Sequence, residues 1–297
     1  MWSHQARQLV EMACDEDLGT AGDLTSILLR DGTADVAGRV VPREPGIICG
    51  LAVGPIVSDV FSRRLQHPAT FTAEQRDGGA VQDGDAVETG DAVAMFRGAQ
   101  VVVLGAERTL LNFLGRMSGV ATLTHRFVTA ARAVSADVTI LDTRKTIPGW
   151  RMLDKYAVRA GGGQNHRMGL HDAVLIKDNH LAGVPAGGLT DALAALLEQL
   201  TGEPRFVEVE VDNLKQLTDV CRVPGVDIVL LDNFAPEQLR SAVDIRDDQG
   251  LRGKLALEAS GGITLHNVAQ IAATGIDRIS VGALTHSAPC LDIGLDL

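Results

Sequence analysis

Residues 206–233 read FVEVEVDNLKQLTDVCRVPGVDIVLLDN, two short apolar runs on either side of a helical pattern. The runs FVEVEV and DIVLLDN are rich in Val, Ile and Leu, as strands buried on both faces of a parallel sheet are. Between them, NLKQLTDVC has apolar residues at helical spacing. This order of strand, helix and strand predicts a parallel sheet with helices packed against it.

The same alternation continues on both sides of this stretch. Further strands are predicted in VTILDT, DAVLIKD, KLALEAS and DRISVG, and further helices in LTDALAALLEQL, PEQLRSAVDI and LHNVAQIAATG. An α/β barrel and a doubly wound sheet both produce this order. We favour the barrel, because nearly every strand ends in a charged or small polar residue, as a barrel with one active-site face requires. These residues are Asp142, Lys177, Glu210, Asp232 and Ser260.

The first half of the chain has a different pattern. Between residues 37 and 106 the runs GRVVP, GIICG, TFTAE, AVAMFRG and QVVVLG predict a small antiparallel sheet with helices. Helices are predicted for residues 2–13 and for about residues 107–133. The doublet GDAVETGDAVAMFRG is similar to the hairpin of biotinyl and lipoyl carriers. A carrier needs a lysine at the hairpin tip, however, and the first lysine of this sequence is Lys145.

Composition excludes several classes of function. The 297 residues carry a net charge of −11, which argues against broad binding to nucleic acid or anionic membranes. The four cysteines lie far apart in sequence, as reduced thiols of a cytosolic protein do. No apolar run approaches the roughly 20 residues of a membrane span, and the N-terminal sequence turns acidic where a signal peptide is apolar. We expect a soluble cytoplasmic protein.

Residues 142–180 read DTRKTIPGWRMLDKYAVRAGGGQNHRMGLHDAVLIKDNH and carry seven Lys and Arg residues against four acids. The cations flank glycine-rich turns or the ends of apolar runs, where a rigid scaffold presents side chains to a ligand. Arginine offers a planar fork to a carboxylate or phosphate, and lysine a compact charge. This local positive charge in an acidic chain predicts a site for a small molecule with several negative charges.

Two glycine loops predict phosphate binding. Ser260, Gly261 and Gly262 follow one predicted strand, and Val281, Gly282 and Ala283 follow the next. Glycines let backbone N–H groups approach phosphate oxygens, and late loops of a barrel commonly form such a cradle. A single Gly-Gly turn is more often structural, so the prediction depends on the pair of loops.

Two acids at strand ends, Glu210 and Asp232, are candidate ligands for Mg²⁺, which prefers hard carboxylate oxygens beside phosphate. Glu208 lies two residues before Glu210 and should share its face. A salt bridge to Lys145 or Lys177 would explain the presence of either acid equally well.

For His166, a hydrogen-bonding role in the loop is favoured over direct proton transfer.

Several strings along the sequence resemble those of a known family. The strings EDLGTAGDLTS, AERTLLNFLGRMSGVAT, VEVEV, LLDNF, EASGGIT, VGALTHSAP and the whole of residues 142–180 are similar to quinolinate phosphoribosyltransferase. The resemblance implies an N-terminal open-faced α/β sandwich over residues 1–116 and an incomplete seven-stranded α/β barrel over residues 117–285. It also allows the tail, residues 286–297, to join the first domain. The implied reaction joins quinolinate to phosphoribosyl pyrophosphate with Mg²⁺, giving nicotinate mononucleotide, pyrophosphate and CO₂.

The resemblance also implies roles for individual residues. Quinolinate would be held by Arg144, His166, Arg167 and Lys177, joined by Arg108 from the second subunit of a homodimer. Phosphoribosyl pyrophosphate would be held by Thr143, Lys145, Glu210, Asp232, Ser260, Gly261, Gly262, Val281, Gly282 and Ala283. Lys145, Glu210 and Asp232 would act in catalysis, and Glu210 and Asp232 would hold the metal directly or through water. An extra residue between VEVEV and LLDNF leaves the choice between Glu208 and Glu210 open.

Three other interpretations remain at this stage. A relative of the same fold, such as the molybdenum-transport-associated proteins, would act on a different acceptor. A Schiff-base lyase would use Lys145 or Lys177 as its amine, although such a lysine is usually desolvated rather than set among charges. A binding protein without catalysis would not need the paired acids.

Overall fold

The structure of the chain is a computed structural model that describes residues 2–29, 31–76, 79–181, 183 and 188–297. Internal contacts divide the chain into two compact units. Unit 1 comprises residues 1–125, 146–162 and 287–297, and unit 2 comprises residues 126–145 and 163–286. Each unit is therefore built from segments that are separated in sequence. The domain boundary between residues 116 and 117 stays a prediction.

Helices and strands account for most of both units. The helices are α1 (Trp2–Leu18), α2 (Gly54–Leu65), α3 (Gln100–Arg132), α4 (Arg151–Ala160), α5 (Leu189–Glu198), α6 (Leu214–Val220), α7 (Pro236–Asp248), α8 (Val268–Ala272) and α9 (Ala283–His286). The strands are β1 (Asp35–Pro42), β2 (Gly46–Ile47), β3 (Ala69–Ala73), β4 (Gln75–Arg76), β5 (Gly79–Ala80), β6 (Ala86–Val87), β7 (Ala94–Ala99), β8 (Thr139–Leu141), β9 (Val174–Ile176), β10 (Val207–Val211), β11 (Ile228–Asp232), β12 (Ala256–Ser260), β13 (Arg278–Ser280) and β14 (Ile293–Asp296).

Unit 1 contains an antiparallel sheet in the order β14-β1-β7-β3. Its two-residue periodicity is visible in β7, where Ala94 and Phe96 are buried and Arg97 is exposed. β14, from the C-terminal end of the chain, pairs with β1 from Arg39↔Asp296 to Pro42↔Ile293. The antiparallel sheet predicted within residues 37–106 is confirmed for GRVVP, TFTAE and AVAMFRG, and the C-terminal strand adds one edge to it. The predicted strand GIICG forms only β2, which pairs with β6 outside this sheet.

The start of α3 corrects one prediction. The run QVVVLG was expected to form a strand, but it forms the first turns of α3, which is 33 residues long. Val102, Val103 and Ala106 are all fully buried, so this apolar run packs as one face of a helix. A short apolar run cannot distinguish a buried strand from a buried helix by periodicity alone. Within the part of the chain that the structure describes, no helix is long and apolar enough to cross a membrane.

Unit 2 contains a parallel sheet in the order β8-β13-β12-β11-β10-β9. From β9 to β13 each strand lies beside the next one in sequence, and β8 lies beyond β13. This is the cyclic order of a barrel that is open between β8 and β9, whereas a doubly wound sheet reverses its order at a switch point. The six strands predicted from the sequence and the preference for a barrel are confirmed.

The expected seventh strand is reduced to one residue in the described part of unit 2. Gln164 forms a single parallel bridge with Leu141 at the end of β8. The Gln164 backbone N–H donates to Ile140 O at 2.9 Å, and Asp142 N–H donates to Gln164 O at 3.3 Å. Three glycines, residues 161–163, come directly before this bridge and have no side chains to pack as a strand. The parallel sheet therefore has six strands plus one bridging residue.

A close backbone contact within unit 1 generates a stability prediction. A Cβ added at Gly119 in α3 would lie 1.9 Å from the carbonyl oxygen of Pro289, whereas one at Gly105 of the same helix would contact only Leu65, at 3.4 Å. Alanine normally stabilises a helix relative to glycine by about 1 kcal/mol. We expect Gly119→Ala to lower the free energy of unfolding by about 1–3 kcal/mol, because the backbone must shift.

The measurement is thermal or urea denaturation of both variants beside the parent chain. Gly105→Ala is the matched control and should leave stability unchanged or raise it slightly. Equal effects of the two substitutions would contradict the packing of α3 against residue 289.

Candidate active site

A cavity of about 530 Å³ lies in unit 2 at the edge where the parallel strands end. Its charged and hydroxyl-bearing lining comes from six strand ends and the segments that follow them. This lining includes Thr143, Arg144, Lys145, His166, Arg167, Lys177, Glu210, Asp232, Glu258, Ser260, Ser280 and His286. Gly261, Gly262, Gly282 and Ala283 also line it. Four of the five predicted strand-end residues, Lys177, Glu210, Asp232 and Ser260, therefore share one cavity. Asp142, the fifth, is fully buried and is not part of the cavity lining.

Strand register explains why these residues meet. Asp232 and Ser260 are direct partners in the β11–β12 ladder, and Glu210 pairs with Leu230 one strand away. Lys177 follows directly after Ile176, whose partner in β10 is Val209. Parallel strands in this register place their last residues at one edge of the sheet. The result is that Lys177, Glu210, Asp232 and Ser260 surround one space.

The first glycine loop has a backbone shape that requires glycine. Gly261 and Gly262 have φ angles of +90° and +60°, a region that residues with a Cβ rarely adopt. A Cβ at Gly261 would lie 2.1 Å from the side-chain oxygen of Asn233. Asn267 supports the other side of the loop, because its side-chain N–H donates to Gly262 O at 3.0 Å. The loop is thus held in a conformation that leaves its backbone facing the cavity.

The second glycine loop also lies at the cavity, but its first residue does not line it. Val281 is buried, and its N–H donates to Leu141 O at 2.9 Å. Gly282 is close to two side chains, since a Cβ there would lie 3.0 Å from Lys145 Cδ and 3.2 Å from His286 Nε2. The structure therefore brings Gly282 and Ala283 to the cavity, and it gives Val281 a place in the packed interior.

The two acids on β10 lie at different depths. Glu210 lines the cavity and accepts a hydrogen bond from the Lys177 ammonium group. Glu208, two residues earlier, is fully buried and faces His166. Both lie on one face of the strand as predicted, but only Glu210 is at the rim. The salt bridge considered for Glu210 exists, and an ammonium group bound to a carboxylate is a poor amine nucleophile for Schiff-base chemistry.

Asp232, the last residue of β11, also lines the cavity. Its carboxylate accepts a hydrogen bond from the side chain of Asn233 at 2.7 Å. Asn233 has a φ of +58°, a left-handed conformation that asparagine tolerates better than most residues. Its own N–H donates to Ser260 O at 2.8 Å. Asn233 therefore connects the acid to the first glycine loop, a role that the sequence analysis did not identify.

The cations after β8 are placed by a short turn. The backbone N–H of Lys145 donates to the Thr143 hydroxyl at 3.0 Å, and the Thr285 hydroxyl donates to Lys145 O at 2.7 Å. Arg144 and Lys145 are exposed side chains that line the cavity. With Arg167 and Lys177 they give the cavity four cationic side chains, which suits an anionic ligand.

His166 and Arg167 are buried beside the cavity. The Arg167 backbone N–H donates to His166 Nδ1 at 2.7 Å, and the His166 backbone N–H donates to Asp142 Oδ1 at 3.0 Å. His166 Nε2 faces two carboxylates, with Glu208 Oε2 at 2.8 Å and Glu258 Oε1 at 3.4 Å. Burial lowers the pKa of His166, but these two acids outweigh it and raise the pKa. The hydrogen bond to Nδ1 is made by the form of the ring that carries its proton on Nε2, toward the two acids.

Glu258 and Arg278 complete a buried network that the sequence analysis missed. Arg278 Nε donates to Glu258 Oε2 at 2.8 Å. Burial raises the pKa of Glu258, yet its contacts with His166 and Arg278 hold the pKa below the usual value. Glu258 is a charged residue inside the apolar run LALEAS, which is the signal that could have identified it.

Two groups of side chains could bind a cation. Glu210 and Asp232 offer hard carboxylate oxygens at the cavity. His166, Glu208 and Glu258 also bring ligand atoms within 4.8 Å of one another. The second group already contains the Arg278 guanidinium beside Glu258, which neutralises a carboxylate that a metal would need. Glu210 also has a cationic partner, Lys177, so pairing alone does not separate the two groups. Glu210 and Asp232 are partly exposed at the cavity, whereas Glu208 and Glu258 are fully buried, and this exposure favours the first pair for Mg²⁺.

Arg108 is not among the residues that line this cavity. It lies in unit 1 with its side chain 69% exposed, and it forms an ion pair with Glu107 at 4.0 Å. Its participation in a site stays a prediction.

Sequence comparison places both parts of the chain in one family. The model of the quinolinate phosphoribosyl transferase C-terminal domain matches residues 120–296, and that of the N-terminal domain matches residues 23–118. The chain belongs to the quinolinate phosphoribosyltransferase family.

Individual relatives of this family are similar over nearly their whole length. The chain is 44% identical over 292 residues to the nicotinate-nucleotide pyrophosphorylase (carboxylating) of Mycobacterium leprae, covering 98% of this chain and 97% of that protein. It is 36% identical over 294 residues to the probable enzyme of that name in Bacillus subtilis, covering 99% and 93%. The solved structure of nicotinate-nucleotide pyrophosphorylase from Francisella tularensis superimposes with a TM-score of 0.84 at 37% identity, covering 99% and 96%.

The shape of the first glycine loop generates a prediction about pyrophosphate binding. Gly261→Ala should weaken the binding of inorganic pyrophosphate at least about tenfold, because a side chain must displace Asn233 and close the backbone cradle. Gly253→Ala is the matched control: its φ of +74° gives similar strain, but no atom lies within 4 Å of the added Cβ. Isothermal titration calorimetry of both variants measures the difference. Similar affinities in both would contradict a phosphate role for this loop.

Proposed function

We propose that this chain transfers the phosphoribosyl group of phosphoribosyl pyrophosphate to quinolinate, with loss of CO₂, as a step of de novo NAD biosynthesis. The products are nicotinate mononucleotide and pyrophosphate. The observation that carries the proposal is a single cavity in which two glycine loops, two rim carboxylates and four cations meet. The similarity to relatives named nicotinate-nucleotide pyrophosphorylase supports it.

The cations account for recognition of the pyridine dicarboxylate. Arg144, Arg167 and Lys177 would hold its two carboxylates, with His166 supporting Arg167 through the hydrogen bond to Nδ1. Direct contact of His166 with quinolinate stays a prediction. Fixing both carboxylates aligns the ring nitrogen with C1 of the ribose and removes part of the entropic barrier.

The opposite part of the cavity suits phosphoribosyl pyrophosphate. Ser260, Gly261 and Gly262 would bind phosphate oxygens through backbone N–H groups, as would Gly282 and Ala283 after β13. Thr143 and Lys145 lie at the same cavity, and Lys145 can neutralise the leaving pyrophosphate. The predicted phosphate contact of Val281 is left out of the proposal, because its side chain is buried and its backbone N–H donates to Leu141 O.

The bond changes follow from this arrangement. The ring nitrogen forms a bond to C1 of the ribose as the bond from C1 to pyrophosphate breaks. When the adjacent carboxylate departs as CO₂, the electron pair of the broken bond stays on C2, where the positive ring nitrogen stabilises it, and C2 then takes up a proton. Glu210 and Asp232 offset the positive character that develops on the sugar. Mg²⁺ bound by these two acids would supply charge neutralisation at the pyrophosphate.

A homodimer with a shared site and a cytoplasmic location are further parts of the proposal. Arg108 is an exposed arginine whose ion pair with Glu107 is long, at 4.0 Å, which suits a role toward a second subunit. Leu24, Ile27 and Leu28 are exposed apolar residues of the same unit and suit a subunit interface.

The cytoplasmic location is proposed from the spacing of the cysteines.

The direct test is an assay for nicotinate mononucleotide and released CO₂ with quinolinate and phosphoribosyl pyrophosphate. Product formation that requires both substrates supports the proposal. Turnover of a different acceptor with none of quinolinate would refute it.

The acids generate a prediction about the metal. Glu210→Gln combined with Asp232→Asn should raise the Mg²⁺ concentration for half-maximal activity at least about tenfold, because amide oxygens bind the ion more weakly than carboxylates do. Glu237→Gln with Asp244→Asn removes the same charge from two exposed acids of α7 and should leave that concentration unchanged. Full activity of the parent chain in excess chelator would rule out the metal.

The shared site generates a prediction about mixed dimers. Arg108→Ala and Lys177→Ala should each be inactive alone, but co-refolding them should restore activity to about a quarter of the parent value. Random pairing makes about half of the dimers mixed, and each mixed dimer has one intact site. As a control, mixing Arg144→Ala with Lys177→Ala should restore nothing, because both residues line one cavity of one chain. If tagged mixed dimers of the first pair form without any activity, the shared site is wrong.

A further inference from the structure

A chain of contacts inside unit 2 connects Arg278 to Arg167, one of the cationic residues that line the cavity. Arg278 Nε donates to Glu258 Oε2 at 2.8 Å, and the other oxygen of Glu258 lies 3.4 Å from His166 Nε2. The Glu258 side chain forms part of the cavity lining but is fully buried. A buried carboxylate that keeps its negative charge needs donor or cationic partners, and Arg278 and His166 are the partners of Glu258.

The contacts continue from His166 to a cationic residue of the cavity. His166 Nδ1 accepts the backbone N–H of Arg167 at 2.7 Å. Phe206 packs edge-on against the imidazole, with ring centroids 5.4 Å apart, and Glu208 lies 2.8 Å from Nε2. The orientation of the ring is therefore fixed on all sides, and the backbone of Arg167 is attached to it.

Both imidazole nitrogens thus face partners within unit 2. Nε2 faces the carboxylates of Glu208 and Glu258, and Nδ1 faces a backbone N–H. With both ring nitrogens facing protein groups, His166 is better placed to orient its neighbours than to contact a ligand. The neighbour that reaches the cavity is Arg167, whose guanidinium also donates to Ala173 O at 3.4 Å.

We propose that Glu258, anchored by Arg278, is a positioning residue that sets the direction of the Arg167 guanidinium through His166. This inference rests on the proposed function, in which Arg167 binds a carboxylate of the pyridine substrate. A guanidinium is a planar fork, so its strength as a carboxylate partner depends on its orientation. Loss of Glu258 should therefore impair recognition of the dicarboxylate and leave recognition of pyrophosphate by the glycine loops intact.

The test is Glu258→Gln, which keeps the side-chain volume and removes the charge. Calorimetry should show quinolinate binding weakened at least about tenfold, with pyrophosphate binding changed less than about twofold. Asp277→Asn is the matched control, because Asp277 also pairs with a buried arginine, Arg246 at 2.6 Å, but does not line the cavity. A general loss of stability would affect both ligands in both variants, and that result would overturn the proposal.

A double-mutant cycle distinguishes action through Arg167 from an independent effect. Arg167→Lys alone should weaken quinolinate binding, and adding Glu258→Gln should weaken it little further, because both changes remove the same oriented contact. Additive losses would overturn the proposal. If Glu258→Gln does not fold, Glu258→Asp keeps the charge beside Arg278 and withdraws it from His166. The same selective loss is expected, and unchanged quinolinate binding in Glu258→Asp would refute the role.

The binding measurements are separate from the proposed activity. A parent chain that binds quinolinate but makes no nicotinate mononucleotide refutes the proposed function and still allows the positioning role to be measured. A parent chain that turns over quinolinate, with Glu258→Gln binding it equally well, refutes only the positioning role. A parent chain that does not bind quinolinate refutes both.

Discussion

Parallel pairing of the strands in unit 2 brings their last residues to one edge of the sheet, and the cavity depends on this constraint. Asp232 and Ser260 are register partners although a whole helix separates them in sequence. In a β-strand successive side chains face opposite sides, so a register shift of one residue would turn Glu210 away from the cavity. The same alternation places Glu208 and Glu210 on one face, one beneath the cavity and one at its rim.

Buried charge is the second constraint on this site. Glu208 and Glu258 both lie inside unit 2, where an unpaired carboxylate would cost several kcal/mol. His166 lies between them and Arg278 contacts Glu258, so the acids are compensated within the protein. Burial and the nearby Glu258 raise the pKa of Glu208. The cations that line the cavity are therefore not needed to neutralise these two acids and can face a ligand.

Some residues of the site could be read from local sequence, and others could not. Lys177, Glu210, Asp232 and Ser260 end apolar runs, so the sequence alone predicted their common location, which the structure confirms. Glu258 lies inside such a run, and its partner Arg278 begins the next strand. Their contact depends on the pairing of β12 with β13, which no local pattern specifies. The same limit explains QVVVLG, where packing against the rest of unit 1 selected a helix.

The sequence by itself determined the order of strands and helices, the strand-end residues and the two glycine loops, because periodicity and turn chemistry are local properties. It also identified the family, through the stretch of residues 142–180 and several shorter strings. Only the tertiary structure decided that Glu210 lies at the rim and Glu208 beneath it, that Val281 faces the packed interior, and that a seventh strand is reduced to Gln164. Depth and partner choice are set by register and by the packing of distant segments, and these follow from the whole chain.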